Sequence, residues 1–305
     1  MPLQRRNVFA RSHATVDRAT ALDDWPSADG GRAEAGAMKL ALAQLAIEDG
    51  AIDANRERAV DAVAEAAAAG ADLVALPEIV TAGYFAFDAY ERAAEPVEGP
   101  TIEALRPAAI EHEVAVLAGT IVEDLAATAS VETPAESGLA NTAVLLDADG
   151  AIQLVYRKHH LFGYDSREAE LLVPGERLDT ASVQGIDVGV TTCYDLRFPE
   201  LYRDLLEQGV ELILVPSAWP EPRVEHWQTL PRARAIENQL YVAAVNGAAV
   251  DRDGPSLLGR STVFDPWGTP ISASGPEPAI VTATVDPDRV AEVREDFPAL
   301  DDRRV

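Results

Sequence analysis

Lysine is almost missing from this 305-residue chain: of its 25 basic residues only Lys39 and Lys158 are lysines. Cysteine is scarcer still, with Cys193 alone. One cysteine excludes an internal disulfide and a thiolate zinc cluster, and with them a disulfide-stapled secreted scaffold. No apolar run reaches the ~18 residues of a membrane-spanning helix. Arg5, Arg6 and Arg11 are not followed by the apolar stretch of a secretory signal. Positive charge is short as well, since 51 acidic residues against 25 basic ones leave a net charge of −26. Such a surface repels phosphate backbones and anionic lipid, so neither nucleic acid nor a membrane is an expected partner. These absences describe a soluble, cytoplasmic protein.

The acidity is spread along the chain rather than gathered in runs. With lysine nearly gone, this is the composition expected of a surface adapted to high salt, where counterions screen the self-repulsion of excess carboxylates. Residues 1–37 do not share it. Five arginines (5, 6, 11, 18, 32) balance Asp17, Asp23, Asp24, Asp29 and Glu34. The segment also lacks apolar periodicity and is expected to be a disordered or loosely attached extension. All of the net charge therefore belongs to residues 38–305, which carry no repeat and no composition break and are expected to form one α/β domain.

Within that domain strands and helices alternate. A strand opens at Met38 and is followed by an alanine-rich helix to Ala69, with Asp53 as its expected N-cap and Gly70 as its stop. Further strands are expected over 72–76, 114–120, 142–147, 152–157, 188–192, 212–215 and 240–245, with helices near 101–112, 199–208 and 226–238. Ala148-Asp149-Gly150 reads as a hairpin turn. Strands near 260–265, 270–274 and 279–285 and a helix over 287–296 close the pattern.

Three chemically capable residues stand at expected strand ends. Cys193 lies at a strand-to-helix junction, where converging backbone N–H groups lower a thiol pKa and offer oxyanion donors; a free cysteine there is otherwise a small buried hydrophobe. Lys158 is retained in a chain that has otherwise dispensed with lysine, and a compact ammonium suits a developing oxyanion. Lys39 reads as an ordinary surface lysine. Glu78 follows Pro77 among apolar neighbours, a setting that raises a carboxyl pKa toward that of a general base. A thiol, an ammonium and a carboxylate together suit acyl transfer through a thioester. His159 and His160 point to opposite faces of a strand and have no third ligand in register, so no metal site is expected. No phosphate loop or dinucleotide fingerprint occurs, and no cofactor is implied.

In sequence order these residues fall in Leu76-Pro77-Glu78, in Tyr156-Arg157-Lys158-His159-His160-Leu161-Phe162, and in Cys193-Tyr194-Asp195-Leu196-Arg197-Phe198-Pro199-Glu200. The three motifs resemble those of the nitrilase, or carbon–nitrogen hydrolase, superfamily over about residues 38–304. The resemblance implies a four-layer αββα sandwich, with two mixed β-sheets face to face and helices outside, commonly paired into a homodimer or higher homo-oligomer. It also implies Glu78 as base, Lys158 as oxyanion ligand beside the Tyr194 N–H, and Cys193 as nucleophile. Glu168, seven residues before Gly175, resembles the family's second glutamate, with Glu170 its competitor. Arg234 and Glu237 are assigned to structural ion pairing.

Tyr194-Asp195 after the cysteine resembles the amidase branches rather than true nitrilases. Trp219-Pro220-Glu221-Pro222-Arg223 running into His226-Trp227-Gln228 resembles the omega-amidase branch, whose substrates are ω-monoamides of dicarboxylic acids. Such a substrate needs a cation for its distal carboxylate. Arg197 is the candidate, unless it pairs with a nearby acid. Tyr84 and Trp219 are candidate pocket walls, unless they are core. An N-carbamoyl amide hydrolase is the alternative enzyme, with a noncatalytic binding protein on this fold further off. A papain-like pair of Cys193 with His226 is weaker, since His226 is expected on a helix supporting the core.

Overall fold

Period-two alternation sorts the first strand's residues to two faces, and both faces are buried. The structure, a computed structural model, describes residues 36–164, 166–249 and 256–304. The expected extension lies outside these residues but for its last two. In chain order the first half runs β1 (Met38–Gln44), α1 (Ile52–Ala68), β2 (Leu73–Ala75), α2 (Tyr90–Ala93), α3 (Pro100–His112), β3 (Ala115–Asp124), β4 (Leu139–Leu146), β5 (Ile152–Arg157) and α4 (Glu168–Leu171). The second half runs β6 (Thr180–Val183), β7 (Ile186–Val190), α5 (Pro199–Glu207), β8 (Leu212–Ser217), α6 (Val224–Asn238) and β9 (Tyr241–Asn246). It ends with β10 (Thr262–Phe264), β11 (Pro270–Ala273), β12 (Ala279–Val285) and α7 (Pro287–Asp296).

The strands form two six-stranded sheets, ordered β12-β1-β2-β3-β4-β5 and β11-β10-β9-β8-β7-β6. Both follow one plan. Three parallel strands (β1, β2, β3 and β7, β8, β9) make the centre, and antiparallel strands flank them. Parallel strands buried on both faces read as near-continuous apolar runs, as Leu212–Val215 does. The β4–β5 hairpin turns at Gly150, as its sequence requires, with Thr142 opposite Arg157.

Leu40, Leu42, Leu73, Leu117 and Leu145 of one sheet meet Val188, Val190, Leu212, Leu214 and Val245 of the other in a common core. Each such side chain contributes roughly 1.5–3 kcal/mol on burial. The alternate residues, among them Ala41, Ala43, Val74 and Val116, face α1 and α3 through Ala59, Val63, Ala66, Ile102 and Leu105. On the far side Ile213, Val215, Val242 and Ala244 receive Leu201, Tyr202 and Leu205 of α5 and Trp227 and Ala235 of α6. The result is the expected four-layer αββα sandwich.

One expectation fails at the start of α1. Asp53 is not its N-cap: the helix begins at Ile52 behind Ala51, with no side-chain cap, and Asp53 lies in the first turn, paired with Arg56 at 2.9 Å. A tertiary contact sets the boundary instead. Buried Asn55 donates to the Thr81 carbonyl at 2.7 Å and accepts from the Glu48 N–H at 3.0 Å. Strand β6 and the short α2 and α4 were not expected, being too brief for periodicity to reveal. Among the described residues no helix is long and apolar enough to cross a membrane.

Candidate active site

Four loops leaving strand ends converge where the two sheets face each other. Glu78 lies three residues beyond β2, and two contacts fix its backbone. Its N–H reaches the Ser217 carbonyl across the sheet gap at 3.4 Å, and the preceding Pro77 carbonyl accepts from the Thr120 N–H at 3.2 Å. That second contact needs a glycine next door. Gly119 has φ +64°, and a Cβ there would stand 1.9 Å from the Pro77 carbonyl oxygen. Gly175 plays the same part beside Lys158, since a Cβ there would meet the Arg157 carbonyl oxygen at 2.1 Å.

Lys158 directly follows β5, and its ammonium is wholly buried between two carboxylates. Nζ lies 2.8 Å from Glu78 Oε1, and 2.8 and 3.0 Å from the two oxygens of Glu168. Burial alone would drive this amine toward neutrality. Glu168 and Glu78 outweigh it and hold the ammonium well above the ordinary lysine range. Glu168 opens α4 and also accepts from the Phe162 N–H at 2.7 Å and the Tyr84 hydroxyl at 3.1 Å. Glu170 is exposed on the same turn, so of the two glutamates the structure brings Glu168 to Lys158.

Glu78 has no exposed surface, and burial is the main force raising its carboxyl pKa; Lys158 opposes the rise and Glu168 adds to it. Its Oε2 accepts from the Ala218 N–H at 2.8 Å, a donor at the end of β8 in the other sheet. Cys193 follows β7 with φ +47°, a left-handed conformation that a non-glycine residue adopts only under restraint. The restraint is a capping box closing the turn Cys193–Arg197, in which the Asp195 carboxylate accepts from the Thr192 N–H.

The thiol pKa departs from the sequence reading. Burial first, and the adjacent Glu78 charge second, push Cys193 well above the ordinary thiol range. The turn behind it is a single 3₁₀ segment, too short to supply the field of a full helix. The resting group is therefore a neutral thiol beside a carboxylate.

Two polar residues of the site had no role assigned to them in the sequence. Asn141, on β4, directs its Nδ2 group to Glu78 Oε1 at 2.8 Å and to Glu168 Oε1 at 3.0 Å, so one amide spans both carboxylates. A polar residue inside the apolar run Ala140–Leu146 was the available signal, because a buried amide requires partners. Asp195 ties the cysteine turn to the lysine loop. It accepts from the Tyr156 hydroxyl at 2.7 Å, the His160 N–H at 3.0 Å and His160 Nδ1 at 2.8 Å. His160 also stacks on Phe198, and His159 on Tyr156, so both histidines serve as packing around the loop.

Above Cys193 opens a cavity of about 250 Å³. Tyr84, Phe162, Tyr194 and Trp219 supply aromatic walls, with Arg197 and Arg223 also lining it. Tyr84 and Trp219 are thus both buried and pocket-facing. Arg197 forms no ion pair with a carboxylate among the described residues. It meets His226 Nδ1 at 3.2 Å and lies over the Trp219 and Tyr194 rings at 5.0 and 5.6 Å. His226 is engaged there and not with Cys193, which removes the papain-like pairing. Arg234 and Glu237 pair at 2.7 Å, and Arg234 also caps the cysteine turn through two bonds to the Leu196 carbonyl.

Comparison with known proteins follows the same lines. The carbon–nitrogen hydrolase family model matches residues 39–295. The chain is 37% identical over 239 residues to 2-oxoglutaramate amidase of Paenarthrobacter nicotinovorans, covering 77% of this chain and 79% of that protein. It is 34% identical over 276 residues to omega-amidase NIT2 of Homo sapiens, covering 88% and 95% respectively. The crystal structure of Saccharomyces cerevisiae Nit3, a member of branch 10 of the nitrilase superfamily, aligns with a TM-score of 0.79 at 30% identity. That alignment covers 88% of this chain and 97% of Nit3.

Proposed function

The chain belongs to the carbon–nitrogen hydrolase family and is a cysteine-dependent amidase, and from that premise we propose that it hydrolyses the ω-amide of a dicarboxylic acid monoamide. The observation that carries the substrate reading is Arg197, a guanidinium without a carboxylate partner among the described residues, on the cavity that holds Cys193. In a molecule of net charge −26 a cation kept at the pocket marks an anionic ligand. Aromatic walls suit the methylenes between its carboxylate and its amide. The matching curated relatives, named 2-oxoglutaramate amidase and omega-amidase, support the same reading.

Glu78 takes the proton from the Cys193 thiol as Sγ attacks the amide carbon, and the carbonyl electron pair moves onto oxygen. An ammonium has three N–H groups. One N–H shared between the two Glu168 oxygens and one given to Glu78 account for the three contacts of Lys158 and leave the third N–H for that oxyanion. The Tyr194 N–H, in the first turn after the nucleophile and so without an acceptor in its own helix, is the second donor. Glu78 then hands its proton to the nitrogen, the C–N bond breaks and ammonia leaves a thioester. Water, deprotonated by Glu78, attacks the thioester; the C–S bond breaks and Sγ recovers the proton.

Cys193→Ala should retain the fold and lose ammonia release from succinamate altogether, as circular dichroism and an ammonia assay would read. Arg197→Met should raise KM for succinamate about 10- to 100-fold, the weight of a hydrogen-bonded charge. Ammonia with CO₂ from an N-carbamoyl amino acid, in preference to ammonia from succinamate, would replace this reading with the carbamoyl one.

A further inference from the structure

Arg197 is not the only cation at the cavity. Arg223 also lines it, at the end of the 3₁₀ turn Glu221–Arg223, and it likewise forms no ion pair with a described carboxylate. Three contacts fix where it stands. The Trp219 indole N–H donates to the Arg223 carbonyl at 3.0 Å, and the Trp219 backbone is itself clamped by Asn246, whose Oδ1 accepts the Trp219 N–H at 2.7 Å. At its far end the Arg223 guanidinium lies 5.1 Å from the Phe162 ring centre. Phe162 belongs to the lysine loop, and its N–H is bonded to Glu168.

Trp219 thus serves both arginines, its ring face under Arg197 and its N–H under the Arg223 backbone. Two guanidiniums in one small cavity offer more donors than a single carboxylate can accept. A 2-oxo acid group has the complementary shape, since it is planar and its keto oxygen adds a third acceptor beside the carboxylate. A guanidinium fork engages two such oxygens through parallel N–H groups, which an ammonium cannot do.

Resting on the reading of the preceding subsection, we propose that Arg223 is a specificity-determining residue. It binds the oxygen on carbon 2 of the substrate, next to the carboxylate held by Arg197, and so selects 2-oxo ω-monoamides over unsubstituted ones. Its backbone anchor to Trp219 does not involve its side chain, so the side chain can be replaced without releasing the turn.

The test compares kcat/KM for three amides of one chain length: 2-oxoglutaramate, glutaramate and pentanamide. Wild type should favour 2-oxoglutaramate over glutaramate. Arg223→Met, which keeps an apolar stem against Phe162, should reduce that preference about 10- to 100-fold, the weight of a charged hydrogen bond. Arg223→Lys should restore it only in part, and Arg197→Met should lower both acids together. A parallel fall for both acids in Arg223→Met, or no fall in either, would overturn the assignment of Arg223. Failure of the underlying reading looks different: wild type would turn over pentanamide as well as glutaramate, and Arg197→Met would change neither.

Discussion

At the scale of residues, the site's chemistry follows from crowding two carboxylates around one ammonium without water. Carboxylates this close tend to share a proton, which would disable the base. Asn141 and Lys158 each donate to both carboxyl groups, and Lys158 opposes the rise in the Glu78 pKa. In its proposed role as base Glu78 must be ionised, and burial has already raised its pKa. Activity is therefore lost on acidification at a higher pH than an ordinary glutamate would give. Asn141→Leu removes a donor to the charged form and should move that acid limb upward by about one unit, with one charged hydrogen bond lost. A pH profile of kcat/KM measures the shift. An unshifted limb with uniformly lower activity would make Asn141 a packing residue.

At the scale of elements, the site is an arrangement of strand ends, which is why much of it could be read in advance. Glu78, Lys158 and Cys193 each close an apolar run, and alternation of strand and helix placed those runs correctly. Glu168 was located by its resemblance, and it is buried against Lys158 while Glu170 is exposed. Asn141 sits inside a strand, where nothing local separates a partnered amide from a structural one. The direction of the Cys193 pKa differs from the sequence reading because it is set first by burial and then by Glu78, 115 positions away in sequence, rather than by the turn that follows it. The start of α1 escaped for a similar reason: Asn55 and its bond to Thr81 overrode the local capping signal. Close backbone approaches are equally invisible until the strands are paired. Gly119→Ala tests one of them. Its Cβ would need the Pro77 carbonyl to move, and φ +64° is itself unfavourable for alanine. A loss of about 1–3 kcal/mol in chemical denaturation is expected, with a larger proportional fall in kcat because Glu78 moves with Pro77.

At the scale of the whole molecule the dominant quantity is charge. A net −26 must be borne by a single sandwich if residues 1–37 are neutral, and like charges on one compact body oppose folding. Salt shortens the reach of that repulsion from about 10 Å at 0.1 M to about 3 Å at 1 M. The midpoint of thermal unfolding should therefore rise steadily as KCl is raised from dilute to molar. The buried Glu78–Lys158–Glu168 cluster, shielded from ions, should keep its pH profile over the same range. A midpoint indifferent to KCl would mean that the acidic surface contributes no net strain to the fold.

The strand order has a consequence for when in the life of the molecule its first sheet is completed. Glu78, Lys158 and Glu168 lie before residue 170, and Cys193, Arg197 and Arg223 lie after 190. The carboxyl–ammonium cluster and the thiol are thus written in different halves of the chain. Neither half is finished alone, because β12 crosses back to pair with β1 along its whole length, Met38 opposite Val285. A ribosome must therefore have released residue 285 before the first sheet has its last neighbour. A nascent chain already displaying Cys193 and Glu78 has, until then, an unguarded edge where β1 should be covered.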